Sequence, residues 1–125
     1  MTGIVLDTGA LIAFERNNRP VVAVVARAIA EGVPITIPAG VVGQAWRDGR
    51  RQVRLVRLLG SGAVTVEPLD DARSRAAGQL CGVTGTADVI DASVVLCARG
   101  RGRVVMTSDV DDLSRLDATL RLVAV

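Results

Sequence analysis

Short apolar runs rich in β-branched residues recur along the chain, separated by longer stretches with helical signals. Five runs are typical of strands because they are short and bounded by turn residues, namely residues 4–6, 35–37, 63–66, 103–106 and 121–123. The intervening stretches predict helices over residues 10–16, 21–30, 39–46, 50–59 and 109–116, with two more that open at Asp70 and near Ala87. Strands that alternate with helices predict an α/β fold with a central, mainly parallel sheet of about five strands and helices on both faces.

Length and composition favour one folded domain over residues 1–125. Of the 125 residues 50% are hydrophobic, and no low-complexity tract or charged block typical of disorder is present. The apolar runs are interrupted by Arg, Asp, Gly or Pro, so no segment is predicted to span a membrane. The start Met1-Thr2-Gly3 lacks the basic residues of a signal peptide, which predicts a cytoplasmic protein.

Aspartates follow two of the predicted strands and open one of the predicted helices. Asp7 closes the first strand and Asp109 follows the fourth, whereas Asp88 and Asp91 share one helical face through their i, i+3 spacing. Each aspartate alone would also suit a turn or a helix N-cap. Because ligands of parallel sheets bind outside the carboxyl ends of the strands, we expect these acids to meet in one crevice. A cluster of oxygen ligands favours Mg²⁺ or Mn²⁺, so the sequence predicts a divalent-metal site.

The residue types that the chain lacks narrow the chemistry. There is no histidine and no tyrosine, and all 15 basic residues are arginine. Ser-His and Cys-His nucleophile pairs and histidine-bearing zinc sites are therefore excluded. Without lysine, a Walker A phosphate loop and Schiff-base chemistry are excluded, and an aspartyl-phosphate receiver or phosphatase is disfavoured. Metal-assisted hydrolysis remains, as does the absence of catalysis.

Arginines recur at helical spacing in the middle of the chain. They stand at i, i+3, i+7 and i+10, which on the predicted helix forms a stripe of Arg47, Arg50, Arg54 and Arg57. The stripe is either a solvated helix face or a surface that contacts RNA phosphates or an acidic partner segment. A net charge of +2 does not by itself establish nucleic-acid binding.

Three segments in order resemble the PIN domain, the metal-dependent ribonuclease fold that includes VapC-type toxins of toxin–antitoxin pairs. They are VLDTGALI over residues 5–12, TADVIDA over residues 86–92 and VVMTSD over residues 104–109. The resemblance runs the length of the chain and implies a PIN-like three-layer α/β/α fold. It also implies a divalent-metal-dependent endoribonuclease in which Asp7, Asp91 and Asp109 are catalytic and hold Mg²⁺ or Mn²⁺, directly or through water.

The chain departs from the family pattern at its second acid. The family places a glutamate on the helix after the second strand, and the matching position here is Gln44. An amide oxygen can accept a hydrogen bond but brings no negative charge. Asp88, Asp112 and Gln44 would form a second tier around the metal. The departure leaves an alternative, a catalytically weak PIN-fold module that binds RNA or a partner protein.

The resemblance also implies partners. It suggests single-stranded or loop RNA as the substrate, a small antitoxin that covers the groove, and a homodimer.

Overall fold

The computed structural model describes residues 3–125 and shows an α/β fold built on one parallel sheet. Within these residues the sheet has five strands in the order β3-β2-β1-β4-β5, and every neighbouring pair is parallel. The strands are β1 (Ile4–Leu6), β2 (Ile35–Pro38), β3 (Val64–Glu67), β4 (Val104–Thr107) and β5 (Arg121–Ala124). The predicted parallel sheet is confirmed, and each strand agrees with its predicted position to within one residue at either end. Met1 and Thr2, on which the signal-peptide prediction rests, lie outside the described residues.

Helices connect the strands in two groups. The chain from residue 3 onward forms α1 (Thr8–Glu15), α2 (Arg19–Ala30), α3 (Ala39–Ala45), α4 (Val53–Gly60), α5 (Asp71–Thr84), α6 (Val89–Ala98) and α7 (Val110–Leu116). Helix α1 packs against α2, α3 and α4, whereas α5, α6 and α7 pack against one another. Because parallel connections are right-handed and the strand order reverses direction after β3, the two groups cover opposite faces of the sheet.

The burial of each strand follows from its place in the sheet. Val5 and Leu6 in the central strand β1 are 0% exposed, since helices cover both faces of the sheet there. Strands β3 and β5 form the two edges and keep exposed residues such as Val66 and Val123. The apolar centre holds β1 in place, and with it the residue that follows the strand, Asp7.

The fourth helix starts later than predicted, which changes the arginine stripe. Helix α4 begins at Val53 rather than at residue 50, because residues 46–52 form a turn. The side chain of Gln52 accepts the backbone N–H groups of Arg47 (2.7 Å) and Asp48 (3.0 Å) and donates to the carbonyl of Ala45 (2.8 Å). These three bonds stabilise the turn against continuation of the helix.

The predicted single helical stripe is therefore wrong. Only Arg54 and Arg57 lie on α4, whereas Arg47 and Arg50 lie in the turn before it. All four side chains are exposed, and Arg50 pairs with Asp48 at 3.3 Å.

No single helix among residues 3–125 is both long enough and apolar enough to cross a membrane; α5 and α6 meet the requirement only as a pair bent by 105°.

Candidate functional site

Asp7 lies at the carboxyl end of the central strand, where it caps the following helix. Its carboxylate accepts the backbone N–H of Ala10 at 2.9 Å, as an N-cap residue does, and the residue is only 2% exposed. The hydroxyl of Thr107, at the end of the neighbouring strand β4, also hydrogen-bonds to this carboxylate. Asp7 is thus both a helix cap and a buried, oriented carboxylate.

Glycine at position 9 allows the first helix to approach the loop that carries Asp109. A Cβ atom built on Gly9 would lie 1.8 Å from Oγ and 2.6 Å from Cβ of Ser108. Any side chain at this position would therefore push α1 and residue 108 apart. The close contact brings Asp7 and Asp109 to the same part of the sheet edge.

Asp88 and Asp91 lie at the start of helix α6. Asp88 is the N-cap, and its carboxylate accepts the N–H of Asp91 at 2.9 Å. Asp91 lies in the first turn, half-buried, on a cavity of about 260 Å³ that it shares with Asp88 and Asp112. A Cβ atom on Gly40 would lie 2.3 Å from Cδ1 of Ile90, so this glycine lets the start of α3 approach the start of α6.

Asp109 follows β4 and remains exposed. Its N–H donates to the hydroxyl of Thr107 at 2.8 Å, and its own side chain makes no capping bond to α7. Asp109 borders a second cavity of about 300 Å³ together with Asp111 and Asp112. Asp112 borders both cavities, so they adjoin one another.

The electrostatics show that the predicted acids act on one another. Burial and then, in descending order of effect, the charges of Asp88, Asp109, Asp112 and Asp7 together raise the pKa of Asp91 to about 7. Burial also raises the pKa of Asp7 above its ordinary value, against the opposing effect of its hydrogen bonds, and Asp109 adds to the rise. Four aspartates thus lie within electrostatic range of Asp91.

The donor set fits a hard divalent cation held partly through water. The aspartates offer carboxylate oxygens, which suit Mg²⁺ or Mn²⁺, and Arg115 borders the same cavity, 3.9 Å from Asp112. Among residues 3–125, however, no three Cys, Asp or Glu side chains are placed so that together they could ligate one metal ion. Mg²⁺ commonly keeps several waters and takes one or two carboxylates, and this arrangement can supply such a shell.

Gln44 lies beside the acidic cluster rather than within it. It is exposed on α3, and its amide oxygen accepts a hydrogen bond from the hydroxyl of Thr8, the residue after Asp7. Gln44 and Arg47 border a separate cavity of about 250 Å³. Arg50, Arg54 and Arg57 do not border either acidic cavity.

Sequence reasoning missed three residues that shape the site. Thr107, 0% exposed, bonds to the carboxylate of Asp7 and to the N–H of Asp109 and so connects the two acids. Gly9 permits the close approach that brings Asp7 and Asp109 together, and Gly40 leaves room for the side chain of Ile90 on α6. A polar β-branched residue at the end of a strand, and glycines directly after a strand, were the available signals, but both patterns are common in proteins without such a site.

A parallel sheet with a buried aspartate after its central strand, and further aspartates around the same edge, defines an α/β protein with a carboxylate-lined crevice. The PIN domain model matches residues 4–118, and the chain therefore belongs to the PIN domain family. Its fold is also similar to the solved structure described as FitAB bound to IR36 DNA fragment. That match has a TM-score of 0.64 and 18% sequence identity, and covers 97% of this chain and 94% of that chain. None of the curated proteins matches the sequence.

Proposed function

We propose that this PIN-domain protein is a divalent-metal-dependent endoribonuclease of the VapC type and the toxin of a toxin–antitoxin pair. The observation that carries the proposal is the half-buried position of Asp91 beside Asp7, Asp88, Asp109 and Asp112, because burial first, and then these charges, raise its pKa to about 7. Carboxylates held together against their repulsion need a cation, and a cation among carboxylates suits phosphodiester hydrolysis. Mg²⁺ or Mn²⁺ would be held by Asp7, Asp91 and Asp109, in part through water.

Each residue of the site has a role that its environment supports. Asp7 is fixed by the N–H of Ala10 and the hydroxyl of Thr107, so its carboxylate keeps one orientation. With its pKa of about 7, Asp91 can hold or release a proton near neutral pH when no cation is bound. Asp88 and Asp112 add negative charge around it. The bound ion would polarise the phosphate and acidify a water molecule.

The partners belong to the same proposal. We assign RNA as the substrate, a small antitoxin as the protein partner, a homodimer as the assembly and the cytoplasm as the location. The similar FitAB structure was solved with a DNA fragment, which supports a nucleic-acid setting for this fold.

The test is cleavage of a mixed-sequence single-stranded RNA at several Mg²⁺ and Mn²⁺ concentrations. Wild-type protein should cleave with the metal and not in excess chelator, and Asp7→Asn should lose about a hundredfold or more of the rate. Asp71→Asn is the matched control, because it removes an exposed aspartate paired with Arg75 elsewhere on the surface. Equal rates in Asp7→Asn and wild type would refute the assignment of the site, and cleavage of single-stranded DNA alone would refute the substrate.

The alternative is a catalytically weak binding module. Two observations favour it. Gln44 stands where the family pattern has a glutamate, and its amide oxygen already accepts a hydrogen bond from the hydroxyl of Thr8. RNA binding without metal-dependent cleavage, in protein shown to be folded, would establish this alternative.

A further inference from the structure

A cavity of about 250 Å³ lies beside the acidic cluster and is not used by the proposed metal site. It is bordered mainly by polar side chains, which include Glu15, Arg16, Gln44, Arg47 and Gln52. Gln44 connects it to the acidic cluster, because it is hydrogen-bonded to Thr8, the residue next to Asp7. Helix α1 borders the cavity through Ile12 and Glu15.

The hydrogen bond of Gln44 determines which of its groups remains available. Its amide oxygen accepts from the hydroxyl of Thr8, whereas its NH₂ group donates to no residue among those described. A glutamate at this position would present only acceptors, but Gln44 presents two N–H donors. The substitution thus replaces a group that attracts cations with one that can donate to an anion.

The charges around the cavity also favour an anion. Within the part of the chain that the structure describes, neither Arg16 nor Arg47 forms an ion pair, and the guanidinium of Arg47 donates only to the carbonyls of Gly43 (3.2 Å) and Trp46 (2.7 Å). Glu15 is the one acid on the cavity.

The carboxylate of Glu15 is already engaged. It accepts the N–H of Leu55 at 2.8 Å, in the first turn of α4. Two arginines and one glutamate leave one net positive charge at the cavity, next to a cluster of aspartates that would otherwise repel an anionic strand.

We infer that this cavity binds a backbone phosphate of the RNA strand. In the strand, this phosphate is next to the phosphate that lies at the acidic site. The NH₂ group of Gln44 donates to a phosphate oxygen, and Arg16 and Arg47 supply the positive charge. Gln44 is therefore a substrate-binding residue rather than a lost metal ligand. The inference rests on the proposed function for its ligand, RNA, but not on whether the RNA is cut.

The experiment measures binding of a fluorescent single-stranded RNA in excess EDTA, so that cleavage plays no part. Gln44→Met keeps the size of the side chain but removes both donors, and the Kd should rise about three- to tenfold. Arg16→Gln should raise the Kd about tenfold and lower the slope of log K against log salt by about one. Gln44→Glu should weaken binding more than Gln44→Met does, because it adds a repelling charge.

Arg27→Gln is the matched control. It removes one arginine charge from α2, where Arg27 borders a different cavity with Ile4, the first residue of β1. It should change the Kd less than twofold and leave the salt slope as it is in the wild type. Unfolding midpoints of all variants should show that each is folded under the assay conditions.

The possible outcomes separate this inference from the proposed function. The phosphate site is refuted if Gln44→Met and Arg16→Gln bind RNA with the same Kd as Arg27→Gln. It is also refuted if the wild type binds no RNA. If the variants weaken binding as expected but the wild type never cleaves with Mg²⁺, the phosphate site stands and the nuclease proposal fails. If the wild type cleaves, Gln44→Met should raise KM and leave kcat near its wild-type value, as loss of uniform binding does.

Discussion

The carboxyl group of Asp91 shows how a single residue can oppose folding and still define a site. Its pKa is about 7 in the fold, against 3.8 for an unperturbed aspartate, because burial and neighbouring aspartates disfavour its charge. The unfolded chain therefore releases this proton more easily than the folded one. The contribution of this group to the free energy of unfolding is at its full value below about pH 4 and is lost as the pH rises through 7. Glu67 and Asp117, whose pKa values are lowered, act oppositely and lose their contribution only in acid.

Asp91→Asn should therefore raise the unfolding temperature of the metal-free protein at pH 7.5. At pH 5 the folded side chain is protonated but the unfolded one is still largely ionised, so the difference should be smaller than at pH 7.5. It should disappear only below about pH 4, where both states hold the proton. The measurement is thermal unfolding in EDTA at a series of pH values. Asp71→Asn, on an exposed pair with Arg75, should show no such pH dependence. A constant difference between Asp91→Asn and wild type across this range would contradict the role assigned to burial and repulsion.

Single residues also show where sequence reasoning stops. The aspartates at strand ends could be placed, because parallel strands end at one edge of a sheet. The role of Thr107 could not, since its hydroxyl bonds depend on the register Leu6↔Met106 between β1 and β4. Gln44 could be placed beside the site, but the group it presents depends on the hydroxyl of Thr8.

At the scale of elements, the helices agree with the hydrophobic pattern except where local side chains end them. The turn before α4 depends on Gln52, whose side chain bonds to three backbone groups of residues 45–48. A periodic pattern of Leu and Val does not reveal such bonds, so the start of the helix was predicted three residues early, at residue 50 instead of Val53. The approach of α1 to the β4 loop depends similarly on one missing Cβ atom, at Gly9.

Gly9→Ala should weaken both the fold and the site. The added methyl would contact Ser108 at 1.8 Å, so α1 or the loop must move, at a cost of about 1–3 kcal/mol. Because that movement separates Asp7 from Asp109, metal affinity should fall as well. Denaturant unfolding and a Mn²⁺ titration measure the two effects.

Gly43→Ala is the matched control for this prediction. Gly43 lies in α3, and a Cβ there would have no neighbour within 4 Å. This variant should gain about 0.5–1 kcal/mol, since alanine suits a helix interior better than glycine. If both variants behave alike, the contact between Gly9 and Ser108 does not hold the two elements together.

At the scale of the whole molecule, the alternation of strands and helices was sufficient to predict the parallel sheet but not its order. After β3, right-handed connections allow the next strand either to extend the sheet in the same direction or to be added on the other side of β1. Both choices satisfy the hydrophobic pattern. The observed order β3-β2-β1-β4-β5 places the reversal between β1 and β4. Ligands of such sheets bind at this reversal, and here it lies between Asp7 and Asp109.

A divalent ion at this reversal should stabilise the whole molecule. Binding to the folded state alone adds about 2.7 kcal/mol at a ligand concentration one hundred times the Kd. For a chain of 125 residues this corresponds to a rise in Tm of about 10 °C. Thermal unfolding over a Mn²⁺ titration should show this rise in the wild type and in Asp71→Asn, and little of it in Asp109→Asn. In EDTA, Asp109→Asn should show an unfolding transition like that of any folded protein. A lost response to Mn²⁺ would then reflect the site and not the fold. An equal Mn²⁺ response in Asp109→Asn and wild type would place the ion elsewhere.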